Sequence, residues 1–131
     1  MKIRELTQRA LVTADISESL SAAASRMRLA DVSALPITEA GRPVGMLTER
    51  DLTRAVADAV NPATVGVASY MSLELTVADP DEDSQEVAAR MLEQGIRHLP
   101  VQEAGKIVGI ISMRDLLLLE ALRPKAPAFT E

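Results

Sequence analysis

Residues 34–52 read A-L-P-I-T-E-A-G-R-P-V-G-M-L-T-E-R-D-L, and residues 98–116 read H-L-P-V-Q-E-A-G-K-I-V-G-I-I-S-M-R-D-L. The two stretches align without a gap at an offset of 64, and ten of the nineteen pairs are identical. The same offset relates Ala14-Asp15 to Ala78-Asp79 and Arg26-Met27 to Arg90-Met91. A duplicated unit of about 60 residues buries only about 60% of its unfolded surface and is marginal alone. Two copies sharing an interface remove that difficulty. With 47% hydrophobic residues there is material for such a core, and with 2% aromatics the core must be aliphatic.

Each copy has the same order of local signals. In the first, A-L-V-T-A at 10–14 is a short β-prone run. Ser19 caps a helix whose apolar face is Leu20, Ala23, Ala24, Met27 and Ala30. Leu35-Pro36-Ile37 is extended, and Pro36, which has no N–H, predicts a strand start or an edge. Glu39-Ala40-Gly41-Arg42 is a hairpin turn into Val44–Leu47. Thr48 opens a second helix with Leu52, Val56 and Val60 on one face, ended by Asn61-Pro62.

In the second copy, Leu75-Thr76-Val77 is the short strand. Asp83-Ser84-Gln85-Glu86 is a capping box before a stripe of Val87, Ala88, Met91 and Leu92, and Gly95 suits the left-handed helix exit. Strands follow at 98–101 and 107–111. Ser112 opens a helix carrying Leu116, Leu117, Leu119 and Leu122. The expected class is α+β, with β-α-β-β-α twice. The expected division is a first domain at 3–60, a linker at 61–72, a second domain at 73–122 and a flexible tail at 123–131.

The sharpest local pattern is G-h-h-[S/T]-x-x-D-h, at Gly45–Leu52 and again at Gly109–Leu116. Read structurally, the hydroxyl caps a helix and the acid meets the positive end of its dipole. Read functionally, a carboxylate accepts two hydrogen bonds and so suits a vicinal diol, while a hydroxyl and free N–H groups at a helix start suit a phosphate. Both readings stand on the residues alone.

The doubled order, the L-P-[I/V] strand and this motif resemble the CBS domain, and two in tandem resemble a Bateman module. The resemblance spans residues 3–122. It implies two repeats packed sheet to sheet about a pseudo-two-fold axis, with clefts that take an adenosyl compound: AMP, ADP, ATP, S-adenosylmethionine or NAD(H). It assigns the ribose to Asp51 and Asp115, and phosphate or ribose contacts to Thr48 and Ser112. It assigns the adenine pocket to Leu35, Pro36 and Ile37 and to Leu99, Pro100 and Val101. Backbone near Thr13-Ala14 and Val77-Ala78 would meet the adenine edge. Basic residues before the L-P strand reach phosphates in such proteins, which singles out Arg97, with His98 beside it, and favours the Asp115 cleft. The implied role is regulation of a partner protein by a homodimer; the alternative is an interaction or oligomerisation module that binds no ligand.

Other classes are disfavoured. A net charge of −5 argues against general nucleic-acid binding. Cysteine is absent and His98 is the sole histidine, which excludes disulfides, cysteine zinc sites and a histidine-cluster metal site. Asp79, Asp81 and Asp83 alternate like a calcium loop, but Ser84 and Arg90 stand where that loop needs glycine and glutamate. No supporting catalytic set accompanies any nucleophile, so no enzyme and no cofactor are expected. No apolar run approaches the roughly 20 residues of a membrane span, and a cytoplasmic location is expected. The four-leucine run at 116–119 exceeds one helix face, and part of it is expected to meet another chain.

Overall fold

The computed structural model describes residues 1–6, 11–73 and 76–122, with the side chains of 119–122 outside that description. Ala10 of the first expected strand, Leu75 and the tail at 123–131 therefore lie outside the described residues, as do the side chains of Leu119 and Leu122. The first repeat contains β1 (Ala14–Asp15), α1 (Leu20–Ala30), β2 (Ala34–Glu39), β3 (Arg42–Thr48) and α2 (Glu49–Ala57). The second contains α3 (Ser84–Gln94), β4 (His98–Glu103), β5 (Lys106–Ser112) and α4 (Met113–Leu122). In the first repeat the sheet order is β1-β2-β3, with β1 parallel and β3 antiparallel to β2. In the second, β4 and β5 pair antiparallel, and among the described residues near the expected first strand one parallel bridge, Ala78 to Val101, joins β4. The repeats meet through β3 and β5.

The helix starts follow from their caps. Ser19 Oγ accepts from Ala22 N at 3.1 Å, and the Asp83 carboxylate accepts from Gln85 N at 3.0 Å. Gly95 ends α3 at φ 67°, in the left-handed region. Both hairpins place alanine and glycine at positive φ: Ala40 at 51° and Gly41 at 79°, Ala104 at 53° and Gly105 at 77°. Two successive positive φ values are the geometry of a type I′ turn, whose twist matches that of the flanking strands.

Several positions depart from the sequence reading. Pro36 lies inside β2, the central strand, and is fully buried. It is tolerated because it faces Met46, whose own backbone bonds go to Ser72 (2.8 and 3.0 Å), and because β1 joins β2 only from Ile37 onward. On α2 the buried residue is Ala55, while Val56 is 79% exposed. On α3 the stripe is Ser84, Val87 and Met91, and Leu92 faces out at 72% exposure. The rest of each expected stripe packs inward: Leu52 and Val60 against the first core, and Val87, Met91 and Ala88 in or against the second.

The least expected feature is a crossing of the chain. Ile3, in a short 3-10 turn before the first repeat, is fully buried in the core of the second, with Ala78, Val87, Met91, Leu99 and Val101. Val67, in the matching turn at Val67–Ser69, is fully buried in the core of the first, with Leu20, Met27, Leu35 and Leu47. The backbone bonds obey the offset of 64: Ile3 N donates to Glu82 O at 3.0 Å, and Val67 N donates to Glu18 O at 3.0 Å. The segment expected as a linker is thus a strap over the first repeat, with Leu20 N donating to Val65 O and Met46 exchanging bonds with Ser72.

Candidate functional site

Alternation along the strands decides what faces the interface. Leu47, Leu99 and Ile111 enter the cores, while Met46, Thr48, His98, Pro100, Ile110 and Ser112 line a continuous cleft of about 1870 Å³ between the repeats. The N-terminal turns of α2 and α4 open on the same cleft, bringing Thr48, Asp51, Ser112 and Asp115 together. Arg28, Arg50, Arg97 and Arg114 also line it, as do Asp31 and Glu49. Such a wall can take a ligand with both an anionic end and a hydroxyl-rich centre.

The two motif aspartates are held differently. Asp51 forms a reciprocal capping box with Thr48. One carboxylate oxygen accepts from Thr48 N at 2.8 Å and from its hydroxyl at 3.1 Å, and the Thr48 oxygen accepts from Asp51 N at 3.3 Å. The other carboxylate oxygen accepts from the Arg54 guanidinium at 2.9 Å. Asp115 N donates to Ser112 Oγ at 2.9 Å, and its carboxylate makes no hydrogen bond or ion pair among the described residues.

His98 joins the repeats: its Nε2 lies 2.7 Å from the Ser33 hydroxyl. Burial pushes its pKa below the ordinary value, against the pull of the Asp115 and Glu49 carboxylates, with Arg97 adding to the depression. Arg97 has an exposed side chain, and its carbonyl accepts from Met113 N at 2.8 Å, which fixes the start of α4.

The remaining expected ligand residues fall elsewhere. Leu35, Ile37, Leu99 and Val101 are fully buried in the two cores, and Pro36 is buried away from the cleft. Ala14 and Ala78 are core residues. The Thr13 carbonyl accepts from Arg26 at 2.8 Å and the Val77 carbonyl from Arg90 at 3.1 Å, so those backbone oxygens already have donors. Val77 and Ala78 border a separate, shallower depression beside Glu82 and Arg90. Conversely, Ser33, Met46, Glu49, Ile110 and Met113 line the cleft and were not read from the motif. Along 98–101 alternate residues separate the cleft-facing His98 and Pro100 from the core, whereas along 34–37 Ala34 lines the cleft and Pro36 does not.

The close approach at Gly45 is also accounted for. A Cβ there would lie 2.6 Å from Ser72 O and 3.1 Å from Met71 Sδ, so it is the chain's own strap that needs the space. Among the described residues no group of three or more His, Cys, Asp or Glu is placed to hold a metal ion, and no helix is long and apolar enough to cross a membrane.

Comparison with known proteins bears on the family and the fold. The CBS domain family matches twice, over residues 3–58 and 67–121. A protein of Methanopyrus kandleri is 32% identical over 92% of this chain and 63% of its own length. The CBS domain-containing protein YhcV of Bacillus subtilis is 30% identical over 81% of this chain and 76% of its own. The chain spans 63% of the Methanopyrus kandleri relative and 42% of a Methanocaldococcus jannaschii relative that it matches at 30% identity. Among solved structures, a CBS-domain protein of Burkholderia ambifaria superposes at TM-score 0.88, with 24% identity, over 98% of this chain and 99% of its own. The CBS domain pair of protein MJ0100, in complex with 5-methylthioadenosine and S-adenosyl-L-methionine, superposes at 0.85, with 24% identity, over 92% and 96%.

Proposed function

Since the chain belongs to the CBS domain family, as two domains in tandem, we propose that it binds an adenosyl compound in the inter-repeat cleft and signals that binding to a partner protein. Domain pairs of this family are regulatory modules rather than enzymes. The observation that carries the reading is the convergence of Ser112, Asp115, Arg97 and Pro100 on one wall of the cleft, with the Asp115 carboxylate uncommitted among the described residues. A free carboxylate at a helix start can accept both hydroxyls of a ribose. The Ser112 hydroxyl and the N-terminal turn of α4 favour an anion, and Arg97 adds charge at the same wall. That the MJ0100 pair holds 5-methylthioadenosine and S-adenosyl-L-methionine supports the ligand class. AMP, ADP, ATP, S-adenosylmethionine and NAD(H) all carry this adenosyl group.

Both repeats line the cleft, so a ligand there bridges them. It favours one relative orientation by no more than its differential affinity for the two arrangements. Leu117 and Leu118 are exposed on α4 at 64% and 51% and support self-association as a homodimer, which analytical ultracentrifugation reads directly. A thermal-shift panel of the five ligands tests the reading. At about 100 times Kd a single site adds about 2.7 kcal/mol to stability, so at least one member raises Tm clearly. A flat panel selects the second reading, an interaction module, which the Asp51 carboxylate, bonded through both of its oxygens, favours for the first repeat.

A further inference from the structure

Resting on that reading, we infer that Arg54 is a built-in competitor for the first ribose site, so that the two halves of the cleft fill in order, the Asp115 half before the Asp51 half. A carboxylate offers about four acceptor positions, and a diol needs two. At Asp51 three are taken: Thr48 N, the Thr48 hydroxyl and the Arg54 guanidinium. A ribose entering there must displace Arg54. At Asp115 no described residue takes any of them.

The competitor has its own mooring. The Arg54 guanidinium also donates to Tyr70 O at 3.1 Å and lies 5.6 Å from the centre of the Tyr70 ring. The Tyr70 hydroxyl donates to Asp58 at 2.7 Å, which raises its pKa. Arg54 can therefore leave Asp51 without leaving the strap. The offset of 64 shows this to be a difference between the halves. The positions matching Arg54, Asp58 and Tyr70 are Leu118, Leu122 and Leu6. A polar relay of three residues in the first repeat faces three leucines in the sequence of the second. Because Tyr70 belongs to the strap, occupation of the first half is tied to how that strap sits on α2.

Calorimetric titration of the full chain with AMP, and in parallel with S-adenosylmethionine, reads the order. The wild type shows a tight phase, which Asp115→Asn removes and Asp51→Asn leaves in place. Arg54→Leu, which copies the second repeat, tightens the weaker phase by about two- to fivefold. Arg54→Gln does the same if the leucine variant folds poorly, and persistence of the tight phase certifies either variant as folded. The inference is overturned if Asp51→Asn abolishes the tight phase, if the wild type binds two equivalents alike, or if both Arg54 variants leave the weak phase unchanged or weaken it, which would make Arg54 a ligand contact. Absence of any binding to the wild type refutes the adenosyl reading itself, and the inference falls with it.

Discussion

The Ser33 hydroxyl and the His98 imidazole meet at 2.7 Å and join the two repeats at the wall of the cleft. Ser33 precedes β2 and His98 begins β4, so the bond reports on how the repeats sit against each other. Protonation of His98 inside this interface is disfavoured by burial, which holds its pKa below the ordinary 6.5, while Asp115 and Glu49 pull the other way and Arg97 reinforces the shift. In the unfolded chain the imidazole binds its proton more readily. Stability from this group is therefore complete above about pH 6.5 and is lost as pH falls through the folded pKa. Thermal unfolding measured from pH 7.5 downward shows a decline that begins near pH 6.5, and His98→Gln flattens it. A decline confined to the region below about pH 4.5 assigns the loss to carboxylates instead. Glu82, held low by Arg90, and Asp83 titrate there.

The crossed straps make a prediction that sequence position alone would reverse. Ile3 precedes the first repeat but fills the core of the second. Ile3→Ala costs about 2–5 kcal/mol. In native-state hydrogen exchange, protection falls first in α3 and β4. Loss of protection in α1 and β2 alone contradicts the crossing.

Gly45 lies where β3 receives the other strap. A methyl group there would meet Ser72 O at 2.6 Å, and backbone cannot step aside as a side-chain tip can. Gly45→Ala destabilises by about 1–3 kcal/mol and exposes the strap around Ser72 to limited proteolysis. Unchanged stability and unchanged cleavage contradict the contact.

The hairpins hold a residue that their geometry does not favour. Ala40 and Ala104 adopt φ 51° and 53°, a region that costs an L-residue with a Cβ roughly 1–2 kcal/mol. Asparagine is enriched at the first central position of a type I′ turn. Ala40→Asn and Ala104→Asn each raise the denaturant midpoint, by up to about 1 kcal/mol of stability. A lowered midpoint for both contradicts the turn assignment.

Much of this architecture is legible in the residues, because caps and turns are local. Ser19, Asp83, Gly95 and the two Ala-Gly turns act through neighbours within a few positions. What is illegible depends on distant chain. Nothing near Ile3 or Val67 says which core each enters, since an apolar residue in a short turn fits either. Val56 and Leu92 look like core at helical spacing but face out, while Leu52, Val60, Val87, Ala88 and Met91 of the same stripes pack inward. At the site, the motif identifies Asp51 and Asp115 as equals. The difference between them comes from Arg54, one helical turn beyond Asp51, and from Tyr70 on the strap. The i, i+3 spacing of Asp51 and Arg54 was open to reading; the contact with Tyr70 was not.

The central claim is that the cleft wall at Asp115 grips the sugar of an adenosyl compound. A crystal structure of the chain grown with saturating AMP or S-adenosylmethionine tests it most directly. The account predicts ribose hydroxyls at about 2.7 Å from the Asp115 carboxylate, with the 5′ substituent toward Ser112 and Arg97. A nucleotide seated outside the inter-repeat cleft, or a cleft left empty at saturation, contradicts it.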